Sequence, residues 1–512
     1  MFESILFPPG AAIGSSEKTI MPDSFKDLNL DQVSEAALEA AKDADLSPYW
    51  YAPLSDRAVI RYRQDVLRDL EDRSREDALA AFSTAVWRLS LRAHQLTEAL
   101  TGKDGWDDNH YTRGRFLECV LDYADAVESL DAFLRGASLR AAGLVAFREH
   151  VSAYIGAGSF ARMAARARAL REAFDKIQYC MLLQNGTVKV RQYEGQKEAR
   201  PDIEETFARF RQKDAQDYRQ KLYRGPGTTH IEAAVLGMLA RYDPDEFTAL
   251  TDFSRTYIDF LDAKIVRFAR EIQFYLGWIA YIRPMREAGL PFCYPDFTDS
   301  PSEILFAESF DVALARRVAP VTNDFAFAFP ERIAVVTGPN QGGKTTFARM
   351  VGQLHHLAAI GLCVPGTRAR LFLCDRVLTH FERQESLATL NGKLMDELVR
   401  LKAVLSRATP RSLVIVNEIF SSTTLADALD LGGRMMRALC ALKIPVVLVT
   451  FLDELASFSP EVASLMSTVD PDDAARRTYK VVRRAADGLA YALQIAARHR
   501  LTYETLKGRL AK

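Results

Sequence analysis

The sequence predicts a multidomain protein: an all-α half carrying one small β-hairpin, followed by an α/β P-loop domain. Three observations predict it. Apolar residues recur at three-and-four spacing from about residue 26 to 176, with strand signals nearly absent. Two short runs, 177–184 and 187–193, flank Asn185 and Gly186, the strongest short hairpin signal available. From about residue 300 short apolar runs alternate with helical segments, which argues a mostly parallel, doubly wound sheet.

Taken in order, residues 1–25 read as an N-terminal tail. Helical periodicity is plain in residues 31–38 and 78–87. After the hairpin it resumes from about Ile203 to Leu222, breaks at Gly225-Pro226-Gly227, and continues to about Ala288. Val335-Val336, residues 412–416 and residues 445–449 are the buried-strand runs of the last part.

Composition bounds the rest. A chain of 512 residues holds about three or four domains. A net charge of −1 means that any nucleic-acid contact must come from a local patch. The six cysteines are scattered, with no Cys-x-x-Cys pair, and read as reduced thiols of a cytoplasmic protein. The first residues show no signal-peptide pattern, and no run approaches 18 apolar residues, so no membrane partner is expected.

Chemistry concentrates at Gly338-Pro339-Asn340-Gln341-Gly342-Gly343-Lys344-Thr345. A β-branched run (333–337) precedes it and a helical pattern beginning at Thr346 follows, the strand–loop–helix context that a Gly-x-x-x-x-Gly-Lys-Thr spacing requires. Glycines let successive backbone N–H groups turn inward as an anion nest at a helix N-terminus. Lys344 then reaches the β- and γ-phosphates of a nucleoside triphosphate, and the Thr345 hydroxyl ligates Mg²⁺. Such a loop needs a second strand ending in an acidic group, and residues 413–416 lead into Asn417 and Glu418. Glu418 stands where a general base belongs. Asn417 stands where an aspartate usually orients the metal; it accepts a hydrogen bond from a Mg²⁺-bound water but lacks a charge worth about 4 kcal/mol at 4 Å and an effective dielectric near 20.

Between Arg162 and Arg224 there are 15 Lys/Arg against 9 Asp/Glu. Lys189 and Arg191 share one face of the second hairpin strand by period-2 alternation, with Val188 and Val190 on the other. That face suits either phosphate contacts, salt-dependent and blind to sequence, or a solvated edge that discourages strand aggregation.

At these residues the chain resembles the MutS family, the DNA mismatch-repair ATPases of the ABC class. Residues 337–346 resemble its Walker A signature, with Asn340 and the paired glycines more specific than a generic P-loop. Gly361 to Gly366 resembles the segment after the first helix, residues 413–419 the strand ending in acidic-Glu-Ile, and residues 421–424 with Asp427 the loop across the dimer interface. Pro53 to Asp56, with Arg61 to Gln64, resembles the early lever segment, and the hairpin resembles the clamp. The resemblance implies a helical core and lever over 26–160 and 226–299, a clamp-like arm over 161–225 with its hairpin at 177–193, and an ABC-type ATPase domain over 300–512. It implies ATP and Mg²⁺ as ligands, Gly338 to Thr346 as the nucleotide site, a homodimer in which Asn391, Gly392, Ser422 and Thr423 approach the partner's nucleotide, and DNA, double-stranded or branched, as partner.

The departures carry expectations of their own. The lever-like helices begin within about 30 residues, leaving no room for the family's mismatch-reading and connector domains, so DNA structure and not a mismatch is the expected target. No nuclease tail is expected. Asn417 replaces an aspartate, Phe451 replaces a histidine, and residues 391–398 lack the usual serine. The alternative is a nucleotide-binding module with very slow hydrolysis, acting on ribosomes or nucleoprotein complexes.

Overall fold

The computed structural model describes residues 2–11, 20–102, 109–184, 187–196, 230–382, 392–470, 476–486 and 507. The expected turn at Asn185 and Gly186, the helical stretch 203–222, the turn at 225–227 and Asn391 lie outside the described residues. Two compact units divide the chain: Met1–Asp77, Leu139–Ala146 and Arg270–Lys512 form one, Ala78–Ser138 and Phe147–Ala269 the other.

The first unit is built on strands with no polar face. Ile333–Thr337, Ser412–Asn417 and Val446–Val449 are buried at every position, a pattern that fits only the interior of a sheet covered on both sides. They lie in a six-stranded sheet ordered Arg376–Phe381, Ser412–Asn417, Val446–Val449, Ile333–Thr337, Val462–Val469, Arg477–Arg483. All neighbours are parallel except the last pair, which is antiparallel with a register irregularity between Ser467 and Val469. The register sets Asn417 opposite Val449 and Val449 opposite Val336, so the carboxyl ends of three strands come level, the usual place for a ligand in such a sheet. A four-stranded sheet of Asp296–Thr298, Arg368–Phe372, Leu305–Ser309 and Asn323–Ala326 mixes parallel and antiparallel pairs. Its strands are too short to stand out as periodic runs.

The N-terminal residues belong to this core, which corrects the reading of 1–25 as a tail. Phe2, Ile5 and Leu6 are buried, and the Ser4 hydroxyl and Ile5 N–H both donate to Glu271 Oε2, at 2.8 and 3.0 Å. Fully buried Arg63 donates through Nε to Leu6 O and through Nη1 to Ile360 O, each at 3.0 Å. The helix Lys344–Ala359 is tied to early residues as well: Gln353 Nε2 donates to Leu28 O at 2.9 Å, and Arg349 Nε to Asp27 O at 2.9 Å. These bonds explain why residues 26–77 and 270–299 join the same unit as the C-terminal sheet, where a separate helical core over 26–160 and 226–299 was expected.

The second unit is helical. Within it His110–Gly136, Gly158–Asp175 and Pro244–Thr256 pack together, and Phe147 stacks on Phe268 with centroids 3.4 Å apart. Tyr179–Gln184 and Thr187–Gln192 pair as an antiparallel hairpin with Cys180 opposite Arg191 and Leu182 opposite Lys189. Val190 is 6% exposed and packs with Leu239 and Phe247, whereas Lys189 and Arg191 are exposed. The alternation expected from the sequence is therefore present. All six cysteines are free, with Cys119, Cys363 and Cys374 buried. Among the described residues no helix is long and apolar enough to cross a membrane.

Candidate nucleotide-binding site

The glycine-rich loop leaves the buried strand Ile333–Thr337 and enters the helix Lys344–Ala359. Two glycines are required by what surrounds them. A Cβ on Gly342 would lie 2.5 Å from Ser467 Oγ and 2.9 Å from Pro339 O, and Gly343 caps the helix at φ +91°, where an L side chain is strained. Close backbone approach plus a helix N-terminus is the arrangement that presents N–H groups to an anion.

Lys344 is buried, and its ammonium donates to Gly338 O at 2.9 Å, Pro339 O at 3.1 Å and Asn340 Oδ1 at 3.4 Å. The loop thus holds the cation along its own inner curve. Burial pulls the Lys344 pKa below that of an exposed lysine; the Glu418 carboxylate pushes it back, Arg477 lowers it, and Asp453 raises it.

Thr345 Oγ1 donates to Asn417 Oδ1 at 2.9 Å, joining the first helical turn to the end of the strand Ser412–Asn417. Beyond it Glu418 adopts φ 52°, and its N–H donates to Val449 O at 2.9 Å. This turn swings a half-buried carboxylate toward the loop. The Thr345 hydroxyl and the Asn417 amide oxygen are hard oxygen donors, which suit a cation such as Mg²⁺ that keeps several of its waters.

A pocket of about 460 Å³ opens here, lined by Gln341, Gly342, Gly343, Lys344, Thr345, Thr346 and Glu418. Val318, Pro320, Val321 and Tyr479 also line it. The sequence reading missed these four, and missed Asp453 and Arg477. No motif marks them, because residues 318–321, Asp453 and residues 477–479 are separate in the chain and meet only in the fold.

The other expected site residues are placed elsewhere. Gly338, Pro339 and Asn340 hold Lys344 without lining the pocket. Gly392 is exposed at the N-cap of the helix Lys393–Arg407. Ser422 is exposed, and Thr423 Oγ1 donates to Asp427 Oδ2 at 3.3 Å beside Thr424, the N-cap of the helix Leu425–Leu442. None of these lines the pocket. Phe451, following Val449 and Thr450, is 47% exposed. Lys189 and Arg191 lie in the second unit.

The mostly parallel sheet, its glycine loop at the carboxyl edge and the acidic strand end form an α/β domain with a cleft at the carboxyl ends of its strands. Residues 334–507 match the family model for MutS domain V. Curated relatives agree: DNA mismatch repair protein MutS from Trichormus variabilis is 34% identical over 152 residues, 29% of this chain and 18% of the relative. The protein of the same name from Fervidobacterium nodosum is 29% identical over 182 residues, 35% of this chain and 22% of the relative. That from Nostoc punctiforme is 34% identical over 141 residues, 27% of this chain and 16% of the relative. Residues 334–507 belong to the MutS domain V family. Its matches span about a fifth of the length of those relatives.

Proposed function

We propose that this chain binds and hydrolyses ATP at the Lys344 pocket and uses the nucleotide to control its grip on DNA as a homodimer. The observation that carries this reading is the hydrogen bond from Thr345 to Asn417, which places the glycine loop and the end of the strand Ser412–Asn417 in one site with Glu418. In this reading residues 338–346 form a Walker A P-loop: Lys344 with the backbone N–H groups neutralises the polyphosphate, and Pro320, Val321 and Tyr479 offer apolar surface to the base. Thr345 directly, and Asn417 through a water, would hold Mg²⁺, which would offset the charge that develops on the phosphate. Glu418 orients the attacking water and takes its proton. Gly392, Ser422 and Thr423 would approach the partner's nucleotide.

The neutral amide of Asn417 favours slow turnover. Asn417→Asp keeps an acceptor for Thr345 and adds a charge near the metal. Screened by an intervening water, that charge is expected to raise kcat about tenfold, well below the unscreened limit of about 4 kcal/mol. A Mg²⁺ titration of turnover checks it; an unchanged or reduced rate removes Asn417 from the metal site.

DNA contact rests on the exposed hairpin face of Lys189 and Arg191. Binding is to be measured on homoduplex, mismatched, single-stranded and four-way-junction DNA, with and without ATP. Junction preference is expected, and Lys189→Ala with Arg191→Ala should weaken every substrate alike and flatten the salt slope by about two. Strong mismatch preference would overturn structure-specific reading. Failure to bind any DNA at low salt would favour ribosomes or nucleoprotein as the target.

A further inference from the structure

Residues 418–420 form a turn with two non-glycine residues in the left-handed region, Glu418 at φ 52° and Phe420 at φ 59°. L residues keep such backbone only where their surroundings hold it. Two backbone donors are anchored. Glu418 N–H donates to Val449 O at 2.9 Å, inside the sheet. Phe420 N–H donates to Glu397 Oε2 at 3.3 Å, and Glu397 lies 23 residues upstream on the helix Lys393–Arg407.

Glu397 is unusual for a carboxylate. It is 2% exposed, and its helix packs Leu394, Leu398 and Leu401 into the same apolar cluster as Ile419 and Phe420. Glutamate is among the residues least often buried to this degree, and an acceptor aimed at a backbone N–H in such surroundings gains strength from the low local dielectric. The same helix begins at the exposed Gly392. The helix therefore runs from that exposed end to the turn that carries Glu418.

We propose that Glu397 is a positioning residue: it latches the turn 418–420 and thereby couples the seating of the helix Lys393–Arg407 to the placement of Glu418 in the pocket. This rests on the reading of Glu418 as general base. The latch acts on placement and not on nucleotide affinity, because Glu397 does not line the pocket.

The full chain is compared with Glu397→Leu, which removes the acceptor, and Glu397→Gln, which keeps an acceptor without the charge. Readouts are amide exchange at Phe420, the dissociation constant of a non-hydrolysable ATP analogue, and single-turnover hydrolysis of ATP. Glu397→Leu is expected to speed Phe420 exchange and slow hydrolysis, each at least about tenfold, with analogue affinity unchanged; a misplacement of about 1 Å costs up to about a hundredfold in rate. Glu397→Gln should recover both to within about threefold. Exchange at Val414 and Val416, buried in the neighbouring strand, reports whether the Leu variant is folded. If it is not, the Gln variant decides alone, and a tenfold loss of rate in it overturns the latch. Unchanged Phe420 exchange in a folded Leu variant also overturns it, as does a loss of rate matched by an equal loss of affinity. Should the wild-type chain bind ATP without hydrolysing it, the catalytic reading fails, and the exchange measurements still judge the latch.

Discussion

Replacing Lys344 with alanine is expected to weaken ATP binding at least about a hundredfold while leaving the chain folded. The size follows from where the ammonium sits. Lys344 is 4% exposed and is held by Gly338 O, Pro339 O and Asn340 Oδ1 inside the loop. A unit charge about 4 Å from a phosphate, at an effective dielectric near 20, contributes about 4 kcal/mol, roughly a thousandfold in affinity. Thr345 and the loop N–H groups remain in the variant and retain part of the binding, which sets the lower figure. Removing the donor also leaves the loop oxygens short of a partner, at about 1–3 kcal/mol for each that water does not reach. Isothermal titration with ATP and a non-hydrolysable analogue measures the loss, and a thermal melt verifies the fold. Affinity within about threefold of wild type would remove the loop from nucleotide binding.

What could be seen in the sequence, and what could not, divides along a physical line. Residues whose roles follow from local backbone needs were visible. Glycines that cannot carry a Cβ, strands with no polar face, and an Asn417-Glu418 strand end all leave a signature within a dozen residues. The hairpin is equally plain, because alternation sets Lys189 and Arg191 opposite to Val190, the residue that packs against Leu239 and Phe247. Residues defined by long-range packing were invisible. Phe2, Ile5 and Leu6 form too short a segment to show a period, and their burial depends on Arg63, Tyr275 and Glu271, up to 270 residues away. Tyr479 lies beside the loop only because its strand returns antiparallel to Val462–Val469, bringing its backbone oxygen 3.4 Å from where a Cβ on Gly343 would lie. Glu397 is the sharpest instance. In sequence it is one acidic residue on an amphipathic helix, and its meaning comes from its bond to Phe420.

Glu418→Gln is expected to lower kcat by about a hundred- to a thousandfold with ATP affinity within about threefold of wild type. A positioned general base contributes roughly 10² to 10⁴ in rate. Glutamine keeps the size and hydrogen-bonding reach of the side chain but not its basicity, and the backbone at 418, held by Val449 O, has no reason to move. The affinity should change little, because Glu418 carries a negative charge near a polyanion and its loss costs no attraction. Single-turnover hydrolysis separates this from product release. The pairing with Asn417→Asp sharpens the result: if Glu418 is the base, the aspartate substitution accelerates the wild-type chain but not the Glu418→Gln chain, since a better-held metal cannot replace a missing proton acceptor. Equal acceleration in both backgrounds would mean that the proton leaves by another route and that Glu418 only orients the site.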